Sequence, residues 1–111
     1  MAENISTNEL KQKIGSDDDF ILVDALSKDS FKNKRIPGSV NIPSSKVLKT
    51  ASDKIPNKQT EVVVYCASNS CEASTKAVEK LEELGYKNVV EFNAGLKGWL
   101  EEGYDLEGRN A

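Results

Sequence analysis

At 111 residues the chain has room for one domain whose core needs neither a metal nor a disulfide to hold it. A hydrophobic content of 38% beside 30% charged residues is the balance of a globular chain rather than a disordered one. The net charge of -3 offers no basic field for nucleic acid or anionic lipid, and no apolar run approaches the length of a bilayer span. The first residues lack a basic start followed by an apolar core, which predicts a cytoplasmic protein without membrane attachment. With no His and two Cys, the usual ligands of a tetrahedral zinc site are missing, and any proton transfer needs a base other than histidine.

The first element is a helix. Ser6 stands as its cap, Glu9 three positions on completes a capping box, and Ile5 can pack on Leu10 as a staple. Gly15 marks its end. Asp17, Asp18 and Asp19 are consecutive, without the alternate spacing of a calcium loop, and read as a solvated turn. Phe20 to Val23 form a buried strand candidate that ends at Asp24, an acid expected to bond nearby backbone. Ser27 to Phe31 suggest a short helical turn, Ile36-Pro37-Gly38 a tight turn, and Val40 to Pro43 a short extended piece. Ser44 or Ser45 can cap a brief helix through Lys46, Val47 and Leu48. Thr50 to Gln59 read as exposed connection.

The most informative stretch runs from Val62 to Leu84. Val62 to Tyr65 suit a buried strand, and Ala73, Ala77, Val78, Leu81 and Leu84 recur at helical spacing. Gly85 ends that helix, and Asn69 or Ser70 can cap its start. Asn88 to Phe92 give a third central strand and Gly95 to Leu100 a short helix, with Tyr86 and Trp99 as packing residues. Gly103 to Ala111 read as a frayed tail. Strands alternating with helices predict a small α/β domain with a largely parallel sheet, whose ligands collect beyond the carboxyl ends of its strands.

Cys66 occupies such a position, at the head of a loop of small residues that leads into a helix. Converging loop amides and a helix N-terminus stabilise an anion, and a thiolate is the natural one here. The other reading of Cys66 is a small hydrophobe closing a strand. Cys71, five positions on, is either a second thiol able to reach Cys66 or a small residue entering the helix.

Five pieces then stand in order: LVDAL at Leu22 to Leu26, RIPGSVNIP at Arg35 to Pro43, VVVYC at Val62 to Cys66, LGYKNV at Leu84 to Val89, and AGLKGW at Ala94 to Trp99. On these residues the chain resembles a single rhodanese-like domain, with a core from about residue 20 to 104 within one domain spanning 1–111. The resemblance implies a central mostly parallel sheet flanked by helices, and a monomer with no cofactor and no metal. It also implies a cysteine at the head of a six-residue loop that takes a sulfane sulfur, becomes a persulfide and passes the sulfur on. Cys66 stands at that place. Ala67, Ser68, Asn69, Ser70, Cys71 and Glu72 would bind substrate through their amides, and Cys71 could resolve a persulfide or sulfenate on Cys66 as a disulfide. The implied partners are a small-molecule or protein persulfide donor and a thiol acceptor.

The departures from the family pattern narrow the chemistry. Asp24-Ala25-Leu26 replaces Asp-Val-Arg, and Lys34-Arg35-Ile36-Pro37-Gly38 replaces Gly-His-Ile-Pro-Gly. Ala67 and Cys71 stand where many members carry arginine, so a thiosulfate dianion would find no cationic side chain in the loop. Lys34 and Arg35 read as an exposed basic pair. Two alternatives remain open: a non-catalytic binding module, and a thiol-disulfide role for Cys66 and Cys71. A cysteine phosphatase is disfavoured, because no arginine follows Cys66 before Arg109 to close around phosphate.

Overall fold

In the computed structural model, which describes residues 3–16 and 19–110, four consecutive side chains from Val62 to Tyr65 are wholly buried. A strand reaches that state when both of its faces are covered. This strand, β4 (Glu61–Tyr65), lies at the centre of a five-stranded sheet. With β1 (Glu3–Asn4), β2 (Phe20–Asp24), β3 (Val40–Asn41) and β5 (Asn88–Phe92), the order across the sheet is β1-β5-β4-β2-β3. Every pairing within this sheet is parallel. The expected α/β architecture with a parallel sheet is what the chain adopts.

Alternation along β4 divides the core in two. Val62 and Val64 join Val23 and Val89 against α3 (Val47–Lys54) and α4 (Ala73–Glu83). Val63 and Tyr65 join Leu22 and Phe92 against Leu10 of α1 (Thr7–Ile14) and Trp99 of α5 (Gly95–Glu101). A short α2 (Lys28–Asn33), capped by Ser27, follows β2.

Local signals set several boundaries. The Ser6 amide donates to Glu9 Oε1 at 3.0 Å and the Glu9 amide to Ser6 Oγ at 3.1 Å, completing the capping box at α1. At the end of α4, Gly85 adopts φ +97°, its amide donating to the Glu82 carbonyl and that of Tyr86 to the Leu81 carbonyl. This is the paired arrangement that closes a helix through a left-handed glycine.

Four details differ from the sequence reading. Thr50 to Gln59 are not a wholly exposed connection: α3 runs to Lys54, and Ala51 and Ile55 are completely buried. Val47, Ala51 and Ile55 form a four-residue-spaced stripe, and the Tyr86 hydroxyl donates to the Ile55 carbonyl at 2.5 Å. Ser44 and Ser45 supply no side-chain cap; they lie in a single 3-10 turn, Ser44–Lys46, ahead of α3. The tail is not frayed through Asn110. Arg35 and Glu107 exchange backbone hydrogen bonds, and the Arg109 and Asn110 amides donate to the Lys32 and Asn33 carbonyls. β1 had no sequence signal; it pairs Glu3 with Val90 and Asn4 with Glu91, after which the Ile5 amide donates to the Glu91 carbonyl. Of the acidic run, Asp17 and Asp18 lie outside the described residues, and Asp19 is exposed.

Replacing Ile55 with Ala tests the longer α3. Emptying a fully buried site should cost about 2–4 kcal/mol in urea unfolding, whereas an exposed connection would lose less than about 0.5 kcal/mol.

Candidate active site

β2, β4 and β5 finish level with one another, because Asp24 pairs with Tyr65 and Tyr65 with Phe92. The chain leaves β4 at Cys66, which is 1% exposed, and loops through residue 72 before α4 begins. α5 holds this loop from one side. The Leu96 amide donates to the Cys66 carbonyl at 3.0 Å and the Lys97 amide to the Ala67 carbonyl at 2.9 Å. Such an approach needs glycine at the start of α5: Gly95 has φ +64°, and a Cβ there would stand 2.3 Å from the Cys66 carbonyl oxygen.

Of the loop residues, Ala67, Asn69, Ser70 and Glu72 are exposed, while Ser68 and Cys71 are half-buried. The Cys71 amide donates to the Ser68 carbonyl at 3.0 Å, and the hydroxyls of Ser68 and Ser70 lie 3.0 Å apart. Neither Asn69 nor Ser70 caps α4. Glu72 holds the cap position, and its side chain makes no capping bond.

The Cys66 sulfur meets more acceptors than donors. Ser74 Oγ lies 3.3 Å away, the Cys71 carbonyl 3.5 Å and the Ser68 carbonyl 3.9 Å. Burial pushes the Cys66 thiol up and the Cys71 sulfur adds to the rise, against opposing hydrogen bonds from the Ser74 hydroxyl and amide. Cys71 goes the other way. Burial alone would raise it, but the Cys66 thiol and the amides of Ala67 and Ala73 favour its thiolate and outweigh both burial and the nearby Asp24 charge. The Ala67 and Ala73 amides therefore favour an anion on Cys71, while the Ser74 amide and hydroxyl do the same for Cys66 against its deeper burial.

Ser74 and Glu91 carry no sequence motif, yet they extend the site. The buried Ser74 hydroxyl donates to Glu91 Oε2 at 2.7 Å, and the Thr75 hydroxyl donates to the same oxygen at 2.9 Å. A continuous path thus runs from the Cys66 thiol through Ser74 to a carboxylate. Only small signals preceded it: a serine in register with the apolar stripe of α4, and an acid inside the apolar strand β5.

Asp24 supports the same end of the sheet. Its Oδ1 accepts the Leu26 amide at 2.8 Å, the local bond its position suggested, and its Oδ2 accepts the Tyr65 hydroxyl at 3.0 Å. That hydroxyl also accepts the Ile36 amide at 3.0 Å and lies 3.0 Å from Ser39 Oγ. Burial dominates Asp24 and raises its carboxyl to about 6, although the Leu26 amide, the Tyr65 hydroxyl and the Arg35 charge favour the ionised form. Burial likewise raises Tyr65.

The two arginines of the chain have structural contacts elsewhere. Arg35 is half-buried rather than part of an exposed pair with Lys34; its guanidinium stacks over Phe31 and reaches Glu107 at 3.5 Å. Arg109 is exposed, its backbone tied to Lys32. No group of three or more His, Cys, Asp or Glu able to hold a metal occurs among the described residues.

A family model described as "Rhodanese-like domain" matches residues 6–102. The chain is 30% identical to the Bacillus subtilis protein YrkF over 86% of its own length, and spans 49%, about half, of that relative. It is 33% identical to the thiosulfate sulfurtransferase PspE of Escherichia coli over 68% of the chain and 69% of PspE. Among solved structures, the BH2092 protein from Bacillus halodurans superposes with a TM-score of 0.87 at 27% identity, covering 98% of this chain and 79% of that one.

Two substitutions test this geometry. Gly95→Ala should cost at least about 2 kcal/mol and accelerate alkylation of Cys66 as the loop is forced outward; an unchanged urea midpoint and alkylation rate would refute the close approach. For Asp24, the folded state holds the proton more tightly than the unfolded chain does. The stability this contributes is complete below about pH 4 and lost as pH rises through about 6. Between those values Asp24→Asn should gain up to about 3 kcal/mol on wild type, relative to their difference at pH 4, in urea titrations across that range.

Proposed function

The chain belongs to the rhodanese-like domain family, which includes sulfurtransferases, and on that premise we propose that it moves a sulfane sulfur through a persulfide on Cys66. The observation that carries this reading is the placement of the Cys66 sulfur at the end of the central strand, with a hydrogen-bonded exit for its proton. In a protein without histidine, Ser74 accepts the thiol proton while its own moves towards Glu91. The thiolate then attacks the sulfane sulfur of the donor, the donor's S–S bond breaks, and the donor departs as a thiolate. An acceptor thiolate next attacks the outer sulfur, the bond to Cys66 breaks, and Cys66 leaves with the electron pair.

A loop without a guanidinium favours donors of low charge. A thiosulfate dianion would meet Glu72 on the loop and no basic side chain within it. A small-molecule or protein persulfide suits the site better, with a thiol or another nucleophile as acceptor. No described helix is long and apolar enough to cross a membrane.

Sulfur transfer from a small-molecule persulfide to a thiol should vanish in Cys66→Ser with the circular dichroism unchanged; full transfer by that variant would sink the assignment. Glu91→Gln should slow sulfur loading by about 10²-fold near neutral pH, the range of a lost general base. The deficit should close as pH approaches the pKa of the Cys66 thiol, where ionisation no longer needs assistance. A pH-independent deficit would instead mean that Glu91 acts only through folding.

A further inference from the structure

The transfer cycle above makes no use of Cys71, yet the site is built around both sulfurs. The Cys66 thiol reaches the Cys71 carbonyl at 3.5 Å and lends hydrogen-bond support to a Cys71 thiolate. The Ala67 and Ala73 amides, from opposite ends of the loop, support the same anion. The bond from the Cys71 amide to the Ser68 carbonyl turns the chain back at this point. Cys71 is only half-buried, so its side chain has room to move, whereas Cys66 is enclosed.

We propose that Cys71 is the resolving thiol of the Cys66 persulfide: its thiolate attacks the inner sulfur, closes a Cys66–Cys71 disulfide and discharges the carried sulfur as hydrosulfide. This rests on the persulfide reading of Cys66. The balance is complete without an external oxidant. The bond between Cys66 Sγ and the outer sulfur breaks, its electron pair leaves with hydrosulfide, and the new bond joins Sγ of Cys66 to Sγ of Cys71. The two-electron oxidation of the cysteine pair matches reduction of the sulfane sulfur to sulfide. An external dithiol reductant returns the pair to thiols by ordinary exchange.

The resting geometry favours attack on the inner sulfur. Cys71 already interacts with Cys66 Sγ itself, the atom that becomes the inner sulfur, and hydrosulfide is a good leaving group because its conjugate acid is a fairly strong thiol acid. Two fates then compete for a loaded sulfur. An acceptor present at the mouth receives it as sulfane sulfur; in its absence Cys71 releases it as sulfide and leaves the site oxidised.

The test loads wild type and Cys71→Ser with inorganic polysulfide, removes the excess by rapid desalting, and follows intact mass and free sulfide without added thiol. Cys71→Ser should hold a gain of about 32 Da until a thiol is supplied. Wild type should lose that gain, release one sulfide per loaded chain and end about 2 Da below the reduced protein. Both cysteines fall in a single tryptic peptide between Lys58 and Lys76, so the missing hydrogens can be placed directly. If both proteins load and keep the sulfur equally long, the resolving role is overturned and the carrier role of Cys66 stands. Failure of folded Cys71→Ser to gain sulfur overturns the carrier reading, and the resolving role falls with it.

Discussion

Burial of β4 on both faces is the constraint from which the site follows. A strand with parallel partners on each side can present reactive groups to solvent only beyond its ends. The level finish of Asp24, Tyr65 and Phe92 makes one end a platform, and Cys66 is the first residue off it. The buried Asp24–Tyr65–Ile36 network ties β2, β4 and the turn before Ser39 together beneath that platform. Gly95 lets α5 press against the loop from the side. The loop is therefore short of freedom although its tip is exposed.

Electrostatics inside the loop set this chain apart from an arginine-lined anion site. The donors to the two sulfurs are backbone amides and hydroxyls, and the carboxylates of Asp24 and Glu91 act on the same cluster. On the proposed reading, such surroundings would suit a single sulfur-centred charge better than a dianion. On that reading it would divide labour between two thiols: an enclosed one with a path for its proton, and a more open one whose thiolate the surrounding hydrogen bonds favour. Once Cys66 is loaded, as proposed, Cys71 is the thiol left free to attack, and access decides which sulfur it reaches.

Much of this was legible in the sequence, for reasons that differ by element. Val62 to Tyr65 and Phe20 to Val23 announced themselves because strands covered on both faces are apolar without interruption. The α1 capping box and the glycine after α4 are local devices whose chemistry lies within a few residues. The second half of α3 was obscured because Thr50, Ser52, Asp53 and Lys54 surround Ala51 and separate it from Ile55 just past the helix end, leaving one apolar position per turn. β1 is two polar residues whose only structural warrant is the neighbouring strand, and the tail is ordered by distant partners in α2 and Arg35. Within the site, the position of Cys66 could be read from the strand and helix on either side. Ser74 and Glu91 meet through packing of α4 on β5, across a separation of 17 positions. Which sulfur the loop amides face depends on how the loop turns, and its composition does not encode that.

β1 gives the carboxylate of this site a dynamics of its own. Its two residues form an edge strand beside β5, and the following Ile5 amide bonds the carbonyl of Glu91. The Asn4 side chain accepts the Asn93 amide at 2.8 Å, so the clasp extends past the acid on its far side. A pair this short at a sheet margin opens at a small fraction of the global unfolding free energy. Release of that clasp would loosen the backbone beneath Glu91 while Cys66, anchored to the central strand, stayed in place. In the proposed cycle the proton's destination and the nucleophile would thus belong to regions of unequal local stability, and amide exchange at Ile5 and Asn93 would report on the weaker of the two.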